Sequence, residues 1–459
     1  MVPASTQNPA QARRKAGEYS RPGSGFGIGV GLVDIRALLP GPLTFARNER
    51  AHVTGYNNCR NRKLAVSSAS RKSPKYHSAE AERRLAYFKE RGEQMVSTIC
   101  DLVEIESPSD NKDAVDRVAE AVAEKFSRLG GEIHFHRAKD FGSHLQVNFG
   151  GKSAKPVLLL GHYDTVYALG TLATMPCRVA GNKLTGPGVL DMKSGIALML
   201  HALAALREWH REGGLLRPVT VLLVSDEEVG SGSSRAITEA LAKRAAAVLV
   251  LEPSYGREGA VKTARKGVGD YLLRVTGKAA HAGLDFNKGV NAIRELARQI
   301  EKVSGFTDPK KGLTVNVGVV SGGSRTNVVP AQAEARIDVR IARLKDAAGI
   351  DKKMRRLRPF NGQCKIEISG GINRPPMERT AGVAALYVQA AAIARELGWK
   401  LGEAAVGGGS DGNFTAGLGI PTLDGLGGVG DGAHATHEHI LISELPRRAA
   451  LIAGLIERA

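Results

Sequence analysis

Three apolar runs set the first expectation for this chain. Val157 to Leu160, Val219 to Val224 and Ala247 to Leu251 are stretches of Val, Leu and Ala interrupted only by Thr220. A strand with one wet face alternates, so runs this uniform predict central parallel strands covered on both sides. Ile196 to Leu206 is equally apolar but follows a glycine-rich turn and reads as a helix. Ser78 is a suitable N-cap for an amphipathic helix through about Leu102. From about Arg265 to Arg374 the rhythm changes: strand-like Gly269 to Thr276, helix-period Val290 to Val303, strand-like Leu313 to Val320 and Gln332 to Ile341, a basic helical stretch Ala347 to Leu357, and a last strand Lys365 to Ser369. That order is the split unit of a ferredoxin-like sandwich. The expected fold class is α/β: a mixed, mostly parallel sheet flanked by helices, carrying an inserted α+β ferredoxin-like domain.

Each apolar run ends in chemistry. The first leads into Gly161, His162, Tyr163 and Asp164, the second into Ser225, Asp226, Glu227 and Glu228, and the third into Glu252. In parallel sheets ligands gather beyond the carboxyl ends of the strands, so these side chains point at one crevice. The turn from Gly186 to Gly195 brings a further carboxylate, Asp191. Carboxylates crowded in one cleft raise one another's pKa until some stay protonated, unless cations neutralise them. The pattern outlines a two-metal hydrolase site. Asp226 stands apart as a loop or helix-capping carboxylate.

The segments GHYDTV, GPGVLDMKSG, SDEEVGS, LEPS, KAAHAG and GDGAHATHE together resemble the zinc exopeptidase and deacylase superfamily that includes glutamate carboxypeptidase, aminoacylase and succinyl-diaminopimelate desuccinylase. A single strand-end histidine or a single acidic run is ordinarily a loop feature; six segments in the right order from about Ser78 to the C-terminus are specific. GKAAHAG, GGGSDGN and ISELPRR bring the resemblance closest to glutamate carboxypeptidase. The resemblance implies two Zn2+ per subunit, with Co2+ or Mn2+ able to substitute: His162 and Glu252 on one ion, Glu228 and His434 on the other, Asp191 bridging. His437 is the alternative to His434. It further implies that Asp164 orients the His162 imidazole, that Glu227 is the general base, and that the peptide after Asp191 is cis. His281 would reach a partner subunit's site to stabilise an oxyanion, Asn327 and Arg340 would hold the free carboxylate of the departing amino acid, and Arg374 would contact substrate. The implied activity is amide hydrolysis that releases a C-terminal amino acid, glutamate first among the candidates, from a small peptide. An N-acyl-amino-acid deacylase, removing acetyl or succinyl groups, is the alternative. In one departure, the lysine expected upstream falls at Ala260, while Lys262, Arg265 and Lys266 supply cations nearby.

The domain reading follows: a basic N-terminal extension over 1–77, a discontinuous catalytic domain over 78–264 and 375–459, and an inserted lid and dimerisation domain over 265–374, through which a homodimer is expected. The chain of 459 residues carries a formal charge of +18, and the extension holds 13 Lys and Arg against 3 Asp and Glu. That composition reads as disordered. The remaining charge is spread over a large domain without an aromatic-interleaved basic motif, so neither nucleic acid nor a membrane is an expected partner, and a non-catalytic anion-binding relative is the remote alternative. The apolar run from Gly25 to Val33 is broken by glycines and makes a poor signal-peptide core, which leaves a cytoplasmic location as the expectation. Cys59, Cys100, Cys177 and Cys364 form no CxxC pair, and no disulfide framework is indicated.

Overall fold

The computed structural model describes residues 79–153, 155–210 and 214–459. The N-terminal extension and the Ser78 N-cap lie outside the described residues. The first expected helix is two, Ala79–Glu90 and Gly92–Val103, interrupted at Arg91. Gly92 costs a helix interior about 1 kcal/mol relative to alanine, which makes this the natural place for a break.

The main sheet has six strands in the order Glu132–His136, His144–Phe149, Val219–Val224, Val157–His162, Ala247–Val250, Thr422–Leu423. The first two pairings are antiparallel and the other three parallel. The apolar runs are buried on both faces for a visible reason. Val157, Leu159, Val221, Leu223 and Leu249 point into a large core built with the helices Ser194–Trp209 and Leu445–Arg458. Their neighbours Leu158, Leu160, Leu222, Val224, Val248 and Val250 point into a second, smaller core on the other face, closed by Ala242 of the helix Arg235–Arg244. Among the described residues only Val189–Trp209 is long and apolar enough to cross a membrane, and 83% of that window is buried inside the protein.

The segment after residue 266 forms a separate four-stranded antiparallel sheet in the order Thr314–Gly322, Gln332–Ile341, Gly267–Thr276, Lys365–Arg374. The helices Ala292–Ser304 and Ala347–Arg355 cover it, and Tyr271, Leu273, Leu296, Ile337, Val339 and Met354 make its own core. Strand Gly267–Thr276 shows why: its odd positions are buried throughout and its even positions reach the surface. The last strand runs five residues further than its pattern suggested, through Gly370 and Gly371 to Arg374.

Candidate metal centre

The loops beyond three of the parallel strands converge with the turn that carries Asp191. His162 is the last residue of its strand; Glu227 and Glu228 begin a short 3-10 turn after Val219–Val224; Glu252 lies two residues past Ala247–Val250. Asp191 enters on the turn Val189–Lys193, where its backbone leaves helical geometry and the Asp191–Met192 peptide is cis, as the resemblance implies. The turn needs its glycines. Gly188 sits at φ +71°, and a Cβ there would stand 2.6 Å from Cγ2 of Thr165.

Asp191 is the geometric centre. Its Oδ1 lies 3.2 Å from Nε2 of His162, which is itself 3.5 Å from Oε1 of Glu252. Its Oδ2 lies 3.2 Å from Nε2 of His434, and that nitrogen is 3.2 Å from Oε1 of Glu228. One carboxylate thus faces two separate His and Glu pairs. His434 adopts φ +64°, while His439 Nδ1 lies 2.9 Å from the His437 carbonyl and no ion pair joins His437 or His439 to the cluster among the described residues. His434 is therefore the histidine that reaches the cluster.

The surroundings orient these groups. His162 Nδ1 lies 3.0 Å from the Asp164 carbonyl and 3.4 Å from its carboxylate. Asp164, fully buried, accepts from Ser109 Oγ at 2.7 Å and from the backbone N–H groups of Glu227 and Glu228 at 3.3 and 3.2 Å. It thereby joins the first strand end to the second. Glu252 is steadied by Arg265, whose fork grips Asp424 at 2.7 and 2.9 Å and reaches Glu252 Oε2 at 3.5 Å. Asp226 accepts from the hydroxyls and backbone N–H groups of Ser233 and Ser234, just ahead of the helix Arg235–Arg244. It is a structural carboxylate.

The arrangement asks for positive charge. Burial works against a charged His162, yet bonds to Asp164, Asp191 and Glu252 raise its pKa well above the ordinary value. His434 is raised to about 10 by Asp191 and Glu228. Burial pushes Glu227 and Glu228 up, with Arg374 and His434 respectively opposing. A bound cation would relieve the same crowding of carboxylates. The geometry agrees: ligand atoms of His162, Asp191 and Glu228 lie within 4.8 Å of one another. Glu228 Oε1 is buried, and its one polar neighbour among the described residues is the His434 ring nitrogen at 3.2 Å, which does not complete a hydrogen bond of good geometry. Imidazole and carboxylate donors in this arrangement fit a hydrolytic metal ion.

The remaining expected residues divide. Arg374 reaches the centre, donating to Glu227 Oε1 at 3.0 Å. His281 and Asn327 are brought together, Ala282 N donating to the Asn327 carbonyl at 2.9 Å, on a small two-stranded ladder of Ala280–His281 with Val328–Val329. His281 Nδ1 accepts from the N–H groups of Gly283 and Leu284, both at 3.1 Å, so its ring proton sits on Nε2. Arg340 is paired with Asp338 on its own strand at 2.9 Å. Among the described residues no hydrogen bond or ion pair joins His281, Asn327 or Arg340 to the metal cluster.

One important residue has no assigned role in the sequence reading. Glu438 is completely buried and accepts from Leu190 N at 2.7 Å, Asp191 N at 2.9 Å, Gly188 N at 3.2 Å and Tyr167 Oη at 2.6 Å. It clamps the turn that carries Asp191. Its place four residues after His434, in a segment rich in glycine, alanine and histidine, is the one sequence signal of it.

Sheet topology and cluster together define a metal-dependent hydrolase. The chain belongs to peptidase family M20/M25/M40, whose model matches residues 158–458. It is similar to carboxypeptidase G2 of Pseudomonas sp. (strain RS-16), with 32% identity over 371 residues covering 79% of this chain and 88% of that protein. It is also similar to succinyl-diaminopimelate desuccinylase of Thioalkalivibrio sulfidiphilus, with 26% identity over 355 residues covering 73% of this chain and 92% of the relative. Among solved structures, a tripeptidase from Staphylococcus aureus superposes with TM-score 0.65 at 23% identity, covering 80% of this chain and 98% of that one. An M20 family metallo-carboxypeptidase from Sulfolobus solfataricus does so with TM-score 0.63 at 16% identity, covering 79% and 98%. These structural likenesses establish the fold.

Proposed function

We propose that this protein is a two-zinc exopeptidase that releases a C-terminal amino acid, glutamate in the first instance. The observation that carries the reading is Asp191, with one oxygen toward His162 and Glu252 and the other toward His434 and Glu228. His162, Glu252, Asp191, Glu228 and His434 would hold two zinc ions, which would supply Lewis-acid polarisation of the scissile carbonyl and a more acidic water. Glu227 takes the proton from that water and returns it to the leaving nitrogen. His281 donates its Nε2–H to the developing oxyanion. Asn327 and Arg340 hold the free carboxylate of the departing residue.

Of the cations upstream of the second sheet, Arg265 is committed to Asp424. Lys262 and Lys266 make no side-chain hydrogen bond or ion pair among the described residues, and Lys262, the nearly buried one, is assigned to an acidic side chain. His281 and Asn327 act from a partner subunit, and residues 265–374 form the lid and dimer contact. In support, the strand Thr314–Gly322 is an open edge on which Val319 and Val320 are exposed, and Leu284, three residues past His281, is 82% exposed. The likeness to a desuccinylase keeps an N-acyl-amino-acid deacylase as the second reading.

The deciding assay incubates zinc-loaded protein with N-acetyl and N-succinyl amino acids, dipeptides and aryl-acylated glutamates, and measures the amino acid released. Faster release of glutamate from the larger acyl partners supports the exopeptidase; preference for acetyl or succinyl substrates moves the assignment to the deacylase. Glu227→Ala is expected to abolish turnover with zinc content unchanged, and loss of both would refute its role as base. Mixing His281→Ala with Glu227→Ala subunits is expected to restore partial activity. No recovery despite subunit exchange would contradict a residue supplied in trans.

A further inference from the structure

We infer that Arg374 is a positioning residue that fixes the Glu227 carboxylate for proton transfer, rather than a ligand for substrate; the inference rests on the reading of Glu227 as the base. Arg374 ends the strand Lys365–Arg374, just past a register irregularity between Ile372 and Arg374 opposite Gly269 and Val268. Such irregularities re-aim a side chain, and here the guanidinium leaves its sheet and enters the loop beyond Val219–Val224. Its Nη2 donates to Ser231 Oγ at 2.7 Å, Glu227 Oε1 at 3.0 Å, the Glu227 carbonyl at 3.1 Å and Asp411 Oδ1 at 3.1 Å. One amino group has two protons, so these four protein acceptors more than use it up.

The placement is reinforced on both sides. Asn373 donates to the Gly230 carbonyl at 3.1 Å, and Arg235 returns a bond to the Asn373 carbonyl at 3.0 Å. The Phe414 ring lies 5.3 Å from the guanidinium. Arg374 itself is 8% exposed. A substrate-binding arginine turns its whole fork toward the cleft; in this one Nη2 is built into the loop that carries the base, while Nε is buried without a partner and Nη1 makes no hydrogen bond among the described residues. Holding both the main-chain carbonyl and Oε1 of Glu227 fixes the rotation of the carboxylate. Oε2, which makes no hydrogen bond among the described residues, is left for the proton.

The test is steady-state kinetics of the zinc-loaded full chain on the preferred substrate of the release assay, with zinc content measured for every variant. Arg374→Ala is expected to lower kcat about 100-fold, within the range a positioned base contributes, and to move KM by no more than about threefold. Arg374→Lys, which keeps a charge in the same space, is expected to recover at least about tenfold of that loss, and it also serves if the alanine variant fails to fold. Glu227→Gln with Arg374→Ala is expected to be no slower than Glu227→Gln alone, because the arginine acts through that carboxylate. A KM raised more than about tenfold with kcat retained would make Arg374 a substrate ligand, and multiplicative losses in the double variant would make it independent of the base; either overturns the inference alone. A fully active Glu227→Gln enzyme would instead remove the base assignment, and the inference with it.

Discussion

Glu438→Ala removes the acceptor on which the Asp191 turn hangs, and its cost follows from the bonds it breaks. Three backbone N–H groups, those of Gly188, Leu190 and Asp191, lose their partner in a place with no exposed surface, and the Tyr167 hydroxyl keeps only the Ala435 carbonyl at 3.0 Å. An unsatisfied buried donor costs about 1–3 kcal/mol. Summed without relaxation the loss approaches about 9 kcal/mol, but water can enter the space left by the side chain, so about 3–5 kcal/mol is expected. Glu438→Gln should fall between. Its carbonyl still serves Leu190 and Asp191, while its NH2 meets the N–H of Gly188 head on, for about 1–3 kcal/mol. The assay is urea unfolding of metal-free protein followed by tryptophan fluorescence. Both tryptophans, Trp209 and Trp399, pack against the main core, so the signal reports that core and not the second sheet. The midpoint should fall in the order wild type, Gln, Ala at constant slope, and zinc affinity should fall in the same order. An alanine variant within about 1 kcal/mol of wild type, binding zinc normally, would refute the clamp.

Burial lowers the His201 pKa from 6.5 to about 4, with Lys125 and Arg91 adding to the shift. Because the folded value lies below the ordinary one, this stability is complete above pH 6.5 and lost as pH falls toward 4, up to about 3 kcal/mol; His201→Gln should flatten the urea midpoint over that window, and an unchanged slope would refute the attribution. Cys100 and Cys177, both half-buried thiols, lie 3.0 Å apart across the helix Gly92–Val103 and the strand that follows residue 177. Diamide should draw one hydrogen from each and leave an intramolecular disulfide, slowly at neutral pH because burial pushes the Cys177 thiol far up; independent alkylation of both thiols after diamide treatment would contradict it. Arg265→Lys replaces a two-pronged grip on buried Asp424 with a single donor and should cost about 2–4 kcal/mol in the same fluorescence assay. A change below about 0.5 kcal/mol would show that the fork contributes nothing beyond its charge.

What the sequence makes legible and what it hides divide along a physical line. The three central strands could be read because burial on two faces leaves almost no polar position before the strand ends, Thr220 being the exception, and Val157–His162 has no exposed residue. The metal cluster could be read because its members are rare residue types placed where such strands end. Glu438, by contrast, acts on backbone N–H groups about 250 positions earlier, and an N–H is offered by every residue but proline, so nothing in the sequence marks the address. Cys100 and Cys177 are hidden by the same distance, since their meeting depends on how a helix packs and not on spacing. The Arg91 break sits at a glycine, but one glycine in an amphipathic stretch is too weak a signal to choose between a bent helix and two. Arg374 is the sharpest case. Its neighbourhood in the chain points toward substrate, and past a register irregularity that no residue type announces its Nη2 meets Glu227. Side chains whose partners are other distinctive side chains can be found by pattern; those whose partners are main-chain atoms, or whose direction is set by a slip in register, become visible only when the backbone is in place.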